Sequence, residues 1–374
     1  METTKRLRSE VDATVYCGTK DGFKRTTSVD GVAIVPCFST DVLFPLDNWF
    51  FNRTLSGAAD MIKADVYEAH TVSGYGFLNA IRKRKITKPF IQTIHGVLAD
   101  EYVQSFRGVS PTFRARFANL IMWRLSKIEG ESARNATLVV TVSQYSSEKI
   151  VQFYGVDDAR IRIVTNGVDT QRFRPAQDPN KIKHQIGISG RQCVLFVGKL
   201  IPRKGLTFLA EAAKHVVKER SGTVFVVVGN GPLRNHVISH LEKTNLLSNF
   251  VFLGDVNEDA LAALYNCADV FAFPSLQEGL GIVLLEAQAT AKPVVAFDVG
   301  GVREAVLNKE TGLLIRPDSR ELADVILRLL SDQSLREQMG RRGRAFVSQN
   351  FSWDVCAQRM LKVYYEALSS TGQD

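Results

Sequence analysis

Runs of apolar, β-branched residues alternate with amphipathic segments throughout the second half of the chain. The apolar runs are continuous, as expected of strands buried on both faces, and they occupy residues 192–200, 223–231, 249–256, 269–275, 292–299 and 311–317. The segments between them place apolar residues three and four positions apart, most clearly in residues 206–219, 232–243 and 258–268. This strand–helix–strand order predicts a parallel sheet covered by helices on both faces, a doubly wound α/β domain.

The first half repeats the pattern less regularly. Its predicted strands mostly end in polar residues or glycine, and they occupy residues 31–37, 64–70, 88–96, 136–143 and 160–168. Ligands bind beyond the carboxyl ends of strands in open α/β sheets, so two such sheets predict a cleft between two domains. The segment PAQDPNK (175–181) has the composition of a linker. We therefore predict domains over residues 1–180 and 181–350, followed by a helix within 351–374.

Composition agrees with a two-domain globular protein. The chain has 374 residues, of which 45% are hydrophobic and 23% charged, and these values exclude disordered, collagen-like and disulfide-scaffold classes. Five cysteines are widely spaced without a CxxC motif, so we expect reduced core residues rather than disulfides or zinc ligands at Cys17, Cys37, Cys193, Cys267 and Cys356.

Charge and hydropathy narrow the class of partner. The formal net charge of +8 attracts anions without specifying which. We see no basic tail, so we expect no nucleic-acid partner. The sequence contains no run of eighteen apolar residues, so it predicts no membrane span. The segment METTKRLRSE (1–10) lacks the apolar core of a signal peptide. We predict a cytoplasmic protein.

The loop GKLIPRKG (198–205) collects three cations around a turn that follows a strand and opens a helix. Lys199, Arg203 and Lys204 would surround a helix N-terminus, which already favours anions. The cluster favours a diphosphate ligand, and a solvated basic loop is the alternative. The segment lacks the GxxxxGK[ST] pattern of a P-loop.

Two glutamates and two glycines follow in EGLGIVLLE (278–286). Eight helical residues would turn Glu278 and Glu286 onto different faces, so we expect Glu278 in the loop and Glu286 in the next helix. Gly279 and Gly281 would let the backbone approach a ligand closely. Together with the cationic loop, the pair would bracket a nucleotide sugar, although each glutamate alone is typical of a helix surface.

These segments and their order resemble the family 4 glycosyltransferases, retaining enzymes of the GT-B fold. The resemblance covers nearly the whole chain and rests on TIHG (93–96), VSQYSSEKI (142–150), NGVDTQRF (166–173), FVGKLIPRKG (196–205), VVVGNGP (226–232), VFLGDV (251–256), PSLQEGLGIVLLEAQA (274–289) and KPVVAFDVGGVREAV (292–306). It implies two Rossmann-like domains facing across a cleft and a C-terminal helix that crosses back to the first domain. A simple terminal helix of the second domain is the alternative.

The resemblance also implies donor-site roles. Lys199 and Lys204 match the basic pair that holds the donor diphosphate, in the loop that Gly198 begins. Glu278 matches the glutamate that contacts the transferred sugar, and Glu286 the one that hydrogen-bonds the ribose hydroxyls. The family also offers backbone amides to sugar and phosphate at positions that match Gly279, Leu280, Gly281 and Ile282.

Four further features complete the expected site. The loop from Gly254 to Val256 lies where the family binds the nucleobase, largely through main chain. His95 matches a histidine near the anomeric centre, although a histidine after a strand is often only structural. His70 follows the preceding strand, where cleft lining and core are equally expected. Arg203 is added from charge clustering alone.

The implied reaction transfers a hexosyl group from a UDP- or GDP-sugar to a glycan or lipid-linked acceptor. Charge develops on the leaving diphosphate, and fixed cations stabilise it without reorganisation. We see no DxD loop or His/Asp ligand set, so we expect no cofactor and no metal. The resemblance implies front-face attack with retention of configuration.

The chain departs from the family at its start. Residues 6–20 look like the end of the first helix and the second strand, so the usual first strand and glycine-rich loop are expected to be missing. A late start codon, a rearranged domain and a degenerate protein are the competing explanations. The rival functions are therefore a nucleotide-sugar-binding remnant or a GT-B sugar-nucleotide epimerase; a phosphorylase would require a pyridoxal phosphate lysine, for which we see no site.

Basic and apolar residues also stand together in the first half. RKRK (82–85), Lys88 and FRARFANLIMWRLSK (113–127) combine the features of helices that bind anionic membrane surfaces. A packed helix with one solvated basic face is the alternative, and the sequence leaves both interpretations open.

Overall fold

The computed structural model describes residues 2–19, 26–38, 44–59, 62–84, 88–105, 113–176, 178 and 180–370. Some predicted features lie outside the described residues, namely Met1, Lys20, Lys85, Gln177, Pro179 and residues 371–374, together with the side chains of Arg84 and residues 113–116. The chain divides into two compact units, Met1–Thr165 with Trp353–Asp374, and Asn166–Ser352.

The first unit contains seven described strands. Its elements before residue 166 are α1 (Glu2–Arg6), β1 (Thr14–Thr19), β2 (Thr27–Val29), β3 (Val32–Phe38), α2 (Phe44–Ala58), β4 (Tyr67–His70), α3 (Tyr75–Arg84), β5 (Phe90–Ile94), α4 (Leu98–Ser105), α5 (Phe113–Asn135), β6 (Leu138–Thr141), α6 (Gln144–Tyr154) and β7 (Ile161–Ile163). The five strands predicted in this half are present as β3 to β7.

These strands form two sheets rather than one. Strands β4, β5, β6 and β7 pair in parallel in that order, and β5 is buried along its whole length. Strand β1 pairs in parallel with β3, and β2 pairs antiparallel with β3. The β2–β3 hairpin was not predicted, although its turn has the signal: Asp30 and Gly31 have φ angles of 52° and 83°, as a two-residue Asp-Gly hairpin turn requires.

The second unit is a doubly wound domain, as the continuous apolar runs predict. Its elements are α7 (Asn180–Gln185), β8 (Cys193–Val197), α8 (Leu206–Glu219), β9 (Val224–Val228), α9 (Arg234–Lys243), β10 (Phe250–Gly254), α10 (Glu258–Cys267), β11 (Val270–Phe273), α11 (Ile282–Ala289), β12 (Val294–Phe297), α12 (Val302–Ala305), β13 (Gly312–Ile315), α13 (Ser319–Ser331) and α14 (Gln333–Asn350).

All six described strands of this unit are parallel, in the order β10-β9-β8-β11-β12-β13. Strands β8, β9, β11 and β12 are buried at every residue, because helices cover both faces. This burial explains why the runs are continuous rather than alternating.

The final helix, α15 (Trp353–Ser370), belongs to the first unit. Arg162 of β7 donates to the carboxylate of Glu366, and the Tyr364 hydroxyl donates to Glu68 of β4 at 2.6 Å. Met360, Val363 and Ala367 pack against Ile91 and Val140 of the central strands.

The contacts within the chain divide it after Thr165. Residues 166–176 cluster with the second unit because their backbone is bonded to it: Arg344 donates to the carbonyl oxygens of Thr170 and Phe173, and the Ala176 amide donates to Asn266. The Pro- and Asn-containing composition of 175–181 indicates an irregular segment, but these contacts are invisible in the sequence.

The five cysteines are free thiols, and four of them are buried, as expected of core residues. None of the helices in the described part of the chain is long and apolar enough to cross a membrane.

Candidate functional site

The predicted donor residues lie where the sheet of the second unit changes direction. From β8 the chain adds β9 and β10 on one side and then crosses to add β11 on the other. Open α/β sheets bind ligands at such a switch point, beyond the carboxyl ends of the strands. The loops 198–205 and 274–281 follow β8 and β11, so they border the switch point directly.

An ion pair joins these two loops. The Lys204 ammonium contacts the Glu278 carboxylate, and their side chains are only 17% and 9% exposed. The ammonium also lies 5.4 Å from the centroid of the Phe273 ring. A buried pair of this kind is strongly coupled, because removing one partner leaves an uncompensated charge.

Hydrogen bonds to backbone carbonyl oxygens hold the two loops together. The Leu276 amide donates to the Arg203 carbonyl oxygen at 2.7 Å, and the Arg203 guanidinium donates to the Gln277 carbonyl oxygen at 3.3 Å. Gly205 permits the close approach: its φ is 72°, and a Cβ atom there would lie 1.8 Å from the Pro274 carbonyl oxygen. Arg203 thus orients the loop of Glu278 as well as adding charge.

The Glu278 carboxylate has a second partner that sequence analysis did not identify. The Ser275 hydroxyl lies 2.8 Å from the same oxygen that contacts Lys204, and the Gly301 amide donates to the Glu278 carbonyl oxygen at 3.0 Å. Ser275 is fully buried. Its position three residues before the glutamate, in the segment PSLQE, was the available signal. Glu278 lies in the loop, as predicted, and Glu286 lies in α11.

Helix α11 begins beside this ion pair with an N-terminus suited to an anion. Its N-cap residue, Gly281, has no side chain to accept from the first amides of the helix. Those amides point along the helix axis and favour negative charge. Leu280 is buried while Ile282 is 40% exposed, and Gly279 precedes them, so the backbone of the predicted segment 279–282 passes from core to surface here.

Glu286 is held by a buried tyrosine. The Tyr265 hydroxyl donates to the Glu286 carboxylate at 2.8 Å. Burial raises the pKa of Glu286 above its ordinary value, and the hydrogen bond from Tyr265 opposes that rise. Burial also raises the pKa of Tyr265, with the Glu286 carboxylate adding to it, so the hydroxyl remains a proton donor. Sequence analysis assigned no role to Tyr265.

The loops after β9 and β10 lie together. The Gly229 amide donates to the Gly254 carbonyl oxygen at 2.7 Å, and the Asn230 amide group donates to Asp255 at 3.0 Å. Val256 follows, half-buried. The predicted base-binding segment 254–256 is therefore fixed by the GNG segment 229–231, a contribution that the motif alone did not indicate.

The remaining predicted residues are placed as follows. Gly198 directly follows β8 and its amide donates to the Val228 carbonyl oxygen at 3.0 Å, and Lys199 next to it is exposed. His95 belongs to the first unit, directly after β5, and is exposed. It contacts His70 at the end of β4, with 3.0 Å between His70 Nδ1 and His95 Nε2. His70 is 56% exposed, which excludes it from the core.

Comparison with known proteins identifies the class. The family model "Glycosyltransferase Family 4" matches residues 1–172, and the model "Glycosyl transferases group 1" matches residues 178–346. A GDP-mannose-dependent α-(1-6)-phosphatidylinositol monomannoside mannosyltransferase of Mycobacterium tuberculosis is 31% identical over 268 residues, which cover 68% of this chain and 69% of that protein. The chain belongs to the family 4 glycosyltransferases. The enzyme is thus a glycosyltransferase, as the motif order predicts.

Solved structures show the same fold. Sucrose-phosphate synthase from Thermosynechococcus elongatus superposes with a TM-score of 0.82 at 21% identity, covering 99% of this chain and 92% of that one. HepE of Anabaena, in complex with UDP and glucose, superposes with a TM-score of 0.77 at 20% identity, covering 98% and 94%. The chain therefore has the GT-B fold.

Proposed function

We propose that this glycosyltransferase moves a hexosyl group from a UDP- or GDP-sugar to a glycan or lipid-linked acceptor, with retention of configuration and without a metal. The observation that carries the donor assignment is the buried pair of Lys204 and Glu278 beside the N-terminus of α11, at the switch point of the sheet. The mycobacterial relative uses GDP-mannose, and the HepE structure contains UDP and glucose; both donors fit this proposal.

The charges of the site suit a departing nucleoside diphosphate. Glu278 fixes the Lys204 ammonium, and the exposed Lys199 stands at the start of the same loop. In the proposed complex both cations and the α11 amides stabilise the leaving diphosphate, and they need little reorganisation to do so. These groups supply positive charge from the chain itself.

The two glutamates would hold the donor on either side of the diphosphate. In the proposed complex Glu278 accepts from hydroxyls of the transferred sugar, and Glu286, oriented by Tyr265, accepts from the ribose hydroxyls. The base would meet main chain in the segment 254–256. Arg203 supports the loop of Glu278, and His95 would act at the anomeric centre.

A thermal-shift titration with UDP, GDP and ADP tests the donor assignment. A ligand at a hundred times its dissociation constant adds about 2.7 kcal/mol to the unfolding free energy, so one nucleotide should raise the melting temperature clearly. Lys204→Met should abolish the shift. The matched control is Lys214→Met, which removes a surface lysine of the same unit and should leave the shift intact.

Product analysis separates the rival functions. Transfer of sugar from the cognate donor to acceptor extracts would support a transferase. An α-linked product from an α-linked donor, determined by NMR, would support retention of configuration. Interconversion of the nucleotide sugar without acceptor would instead indicate an epimerase. Nucleotide binding without turnover in either assay would indicate a binding remnant and overturn the proposed reaction.

We further propose that the acceptor side works at an anionic membrane surface, from the cytoplasm. Helix α5 exposes Phe117, Leu120 and Trp123, which are 56%, 50% and 41% accessible. Arg124 and Lys127 are exposed on the same helix, with the Lys127 ammonium 5.8 Å from the Trp123 ring centroid. We call these five residues the α5 surface. Aromatic and aliphatic groups beside cations suit the headgroup region of an anionic bilayer.

Vesicle flotation tests the α5 surface. The protein should float with phosphatidylglycerol vesicles and less with phosphatidylcholine vesicles, and high salt should weaken binding. Leu120→Ser with Trp123→Ser should reduce flotation, whereas Val151→Ser, at a 38% exposed apolar residue of α6, should not. Equal flotation of both variants would overturn the membrane proposal and leave the donor assignment untouched.

A further inference from the structure

A chain of polar contacts leads from His95 into the first unit. The rings of His95 and His70 are parallel within 3° with centroids 5.2 Å apart, and His70 Nδ1 lies 3.0 Å from His95 Nε2. The 3.0 Å between the two nitrogen atoms is shorter than the spacing of stacked rings, so the rings lie edge to edge and share a hydrogen bond. On its other side, His70 Nε2 lies 3.5 Å from a Glu68 oxygen.

The Glu68 carboxylate is fixed from two directions. The Thr93 hydroxyl donates to Oε1 at 2.7 Å, and the Tyr364 hydroxyl of α15 donates to Oε2 at 2.6 Å. Burial, together with the adjacent carboxylate, keeps the pKa of Tyr364 well above its ordinary value, so this hydroxyl remains a donor. The Glu68 side chain is 20% exposed, and it belongs to β4, which pairs in parallel with the β5 strand of Thr93.

We propose that Glu68 and His70 are positioning residues, which fix the tautomer and orientation of the His95 imidazole, and that Tyr364 holds the carboxylate in place. The proton positions follow from the acceptors. A carboxylate accepts hydrogen bonds and lies 3.5 Å from His70 Nε2, so it favours the His70 tautomer that carries its proton on Nε2. Its Nδ1 then has a lone pair, and His95 must donate from Nε2. The unprotonated ring atom of neutral His95 is therefore Nδ1.

The consequence for the enzyme rests on the proposed role of His95 in transfer. A histidine with a fixed tautomer and ring plane presents one defined atom to its ligand, and it needs no reorientation during the reaction. A carboxylate that orients a histidine is the usual way in which proteins select a tautomer. The arrangement also makes the last helix of the chain part of the support, through Tyr364.

Nuclear magnetic resonance of the 374-residue chain can measure the tautomer directly. ¹⁵N-histidine spectra at fixed pH, with the His95 signals assigned by His95→Gln, should show a proton on Nε2 alone. Glu68→Gln and His70→Gln should each convert this to a mixture of tautomers. The control variants change the same residue types elsewhere: Glu131→Gln at a half-buried side chain that is 39% exposed, and His236→Gln at an exposed one. Both should leave the spectrum unchanged. An unchanged tautomer in Glu68→Gln or His70→Gln would overturn the proposed positioning of His95.

Kinetics test the consequence separately. Tyr364→Phe should lower kcat about tenfold or more and leave the donor KM unchanged, because a catalytic histidine in the wrong tautomer loses activity. Tyr365→Phe, the exposed neighbour on the same helix, should have normal kcat. Equal kcat in the two variants would overturn the catalytic consequence. A wild-type protein that transfers no sugar would overturn the proposed function. The spectra would still test whether Glu68 and His70 position His95.

Discussion

Lys204 and Glu278, 74 residues apart in the chain, form a buried ion pair where β8 and β11 end. Each has its place in a separate loop, and each loop is bonded to the other through Arg203 and Leu276. The pair therefore links the stability of the second unit to its proposed donor chemistry.

A double-mutant cycle separates these two contributions. Lys204→Met or Glu278→Gln alone leaves an unpaired charge in a buried site and should cost about 3 kcal/mol of unfolding free energy. The double variant should recover most of this loss, because both charges are gone, yet it should not bind donor. The unfolding free energies and nucleotide affinities of all four proteins test this prediction.

The surface pair of Lys214 and Glu211 is the control for the cycle, with side chains 35% and 46% exposed. Its single variants should cost less than about 1 kcal/mol. If Lys204→Met proved as stable as Lys214→Met, the pair would not be coupled as the geometry indicates.

Gly205 should not tolerate a side chain, for a steric reason. Gly205→Ala places a methyl group against the Pro274 carbonyl in a backbone conformation with φ of 72°. The loops must separate, so we expect a loss of more than about 3 kcal/mol and loss of nucleotide binding.

Gly190→Ala is the matched control for this prediction. Gly190 has φ of 71° but nothing within 4 Å of the added methyl group, so it should cost only about 1 kcal/mol. Equal losses in the two variants would attribute the effect to backbone strain alone. Calorimetric melting of both proteins measures the difference.

Buried Glu129 should make the stability of the first unit depend on pH. Burial raises its pKa from 4.5 to about 7, against the lowering effects of the Tyr154 hydroxyl and the Leu98 amide. Above pH 4.5 the unfolded chain releases this proton while the folded protein retains it, so this group's contribution to stability falls as pH rises. From pH 5 to pH 8 the loss should be about 2.5 kcal/mol.

Glu129→Gln should remove this component of the pH dependence. The difference in unfolding free energy between wild type and variant, measured at pH 5 and pH 8, isolates it from other titrating groups. Glu131→Gln, at a side chain of the same helix that is 39% exposed, should retain the wild-type slope. A Glu129→Gln variant with the full wild-type slope would contradict the assignment.

Donor affinity should respond to the protonation of Glu286. Its pKa is raised by burial and restrained by the Tyr265 hydrogen bond. Because the ionised form accepts hydrogen bonds from ribose hydroxyls, nucleotide binding should strengthen as pH rises through this pKa. Tyr265→Phe raises the pKa further, so its binding midpoint should lie at higher pH.

Isothermal titration with the cognate nucleotide across pH measures both midpoints. The phenyl ring retains the packing of Tyr265 against Phe271 and Phe173, whose centroids lie 5.4 and 5.9 Å away, so the fold should be preserved. Tyr365→Phe should behave as wild type. Coincident midpoints for wild type and Tyr265→Phe would exclude the proposed coupling.

Local sequence pattern was sufficient to predict the strands, helices and loops that carry the proposed donor site. Continuous apolar runs require burial on both faces, and their alternation with 3.6-residue periodicity leaves a parallel sheet as the stable arrangement. The placement of Glu278 in a loop and Glu286 in a helix followed from spacing alone, and the order of motifs was specific enough to indicate the family.

Tertiary structure decided what joins distant parts of the chain. The pairing of Lys204 with Glu278, the boundary at Thr165 and the support of Glu68 by Tyr364, 296 residues away, have no local signal. Periodicity reports which face of an element is buried, but not which element covers it. Side-chain partners, and the pKa values of groups such as Glu129, depend on packing between elements, and only the folded chain defines that packing.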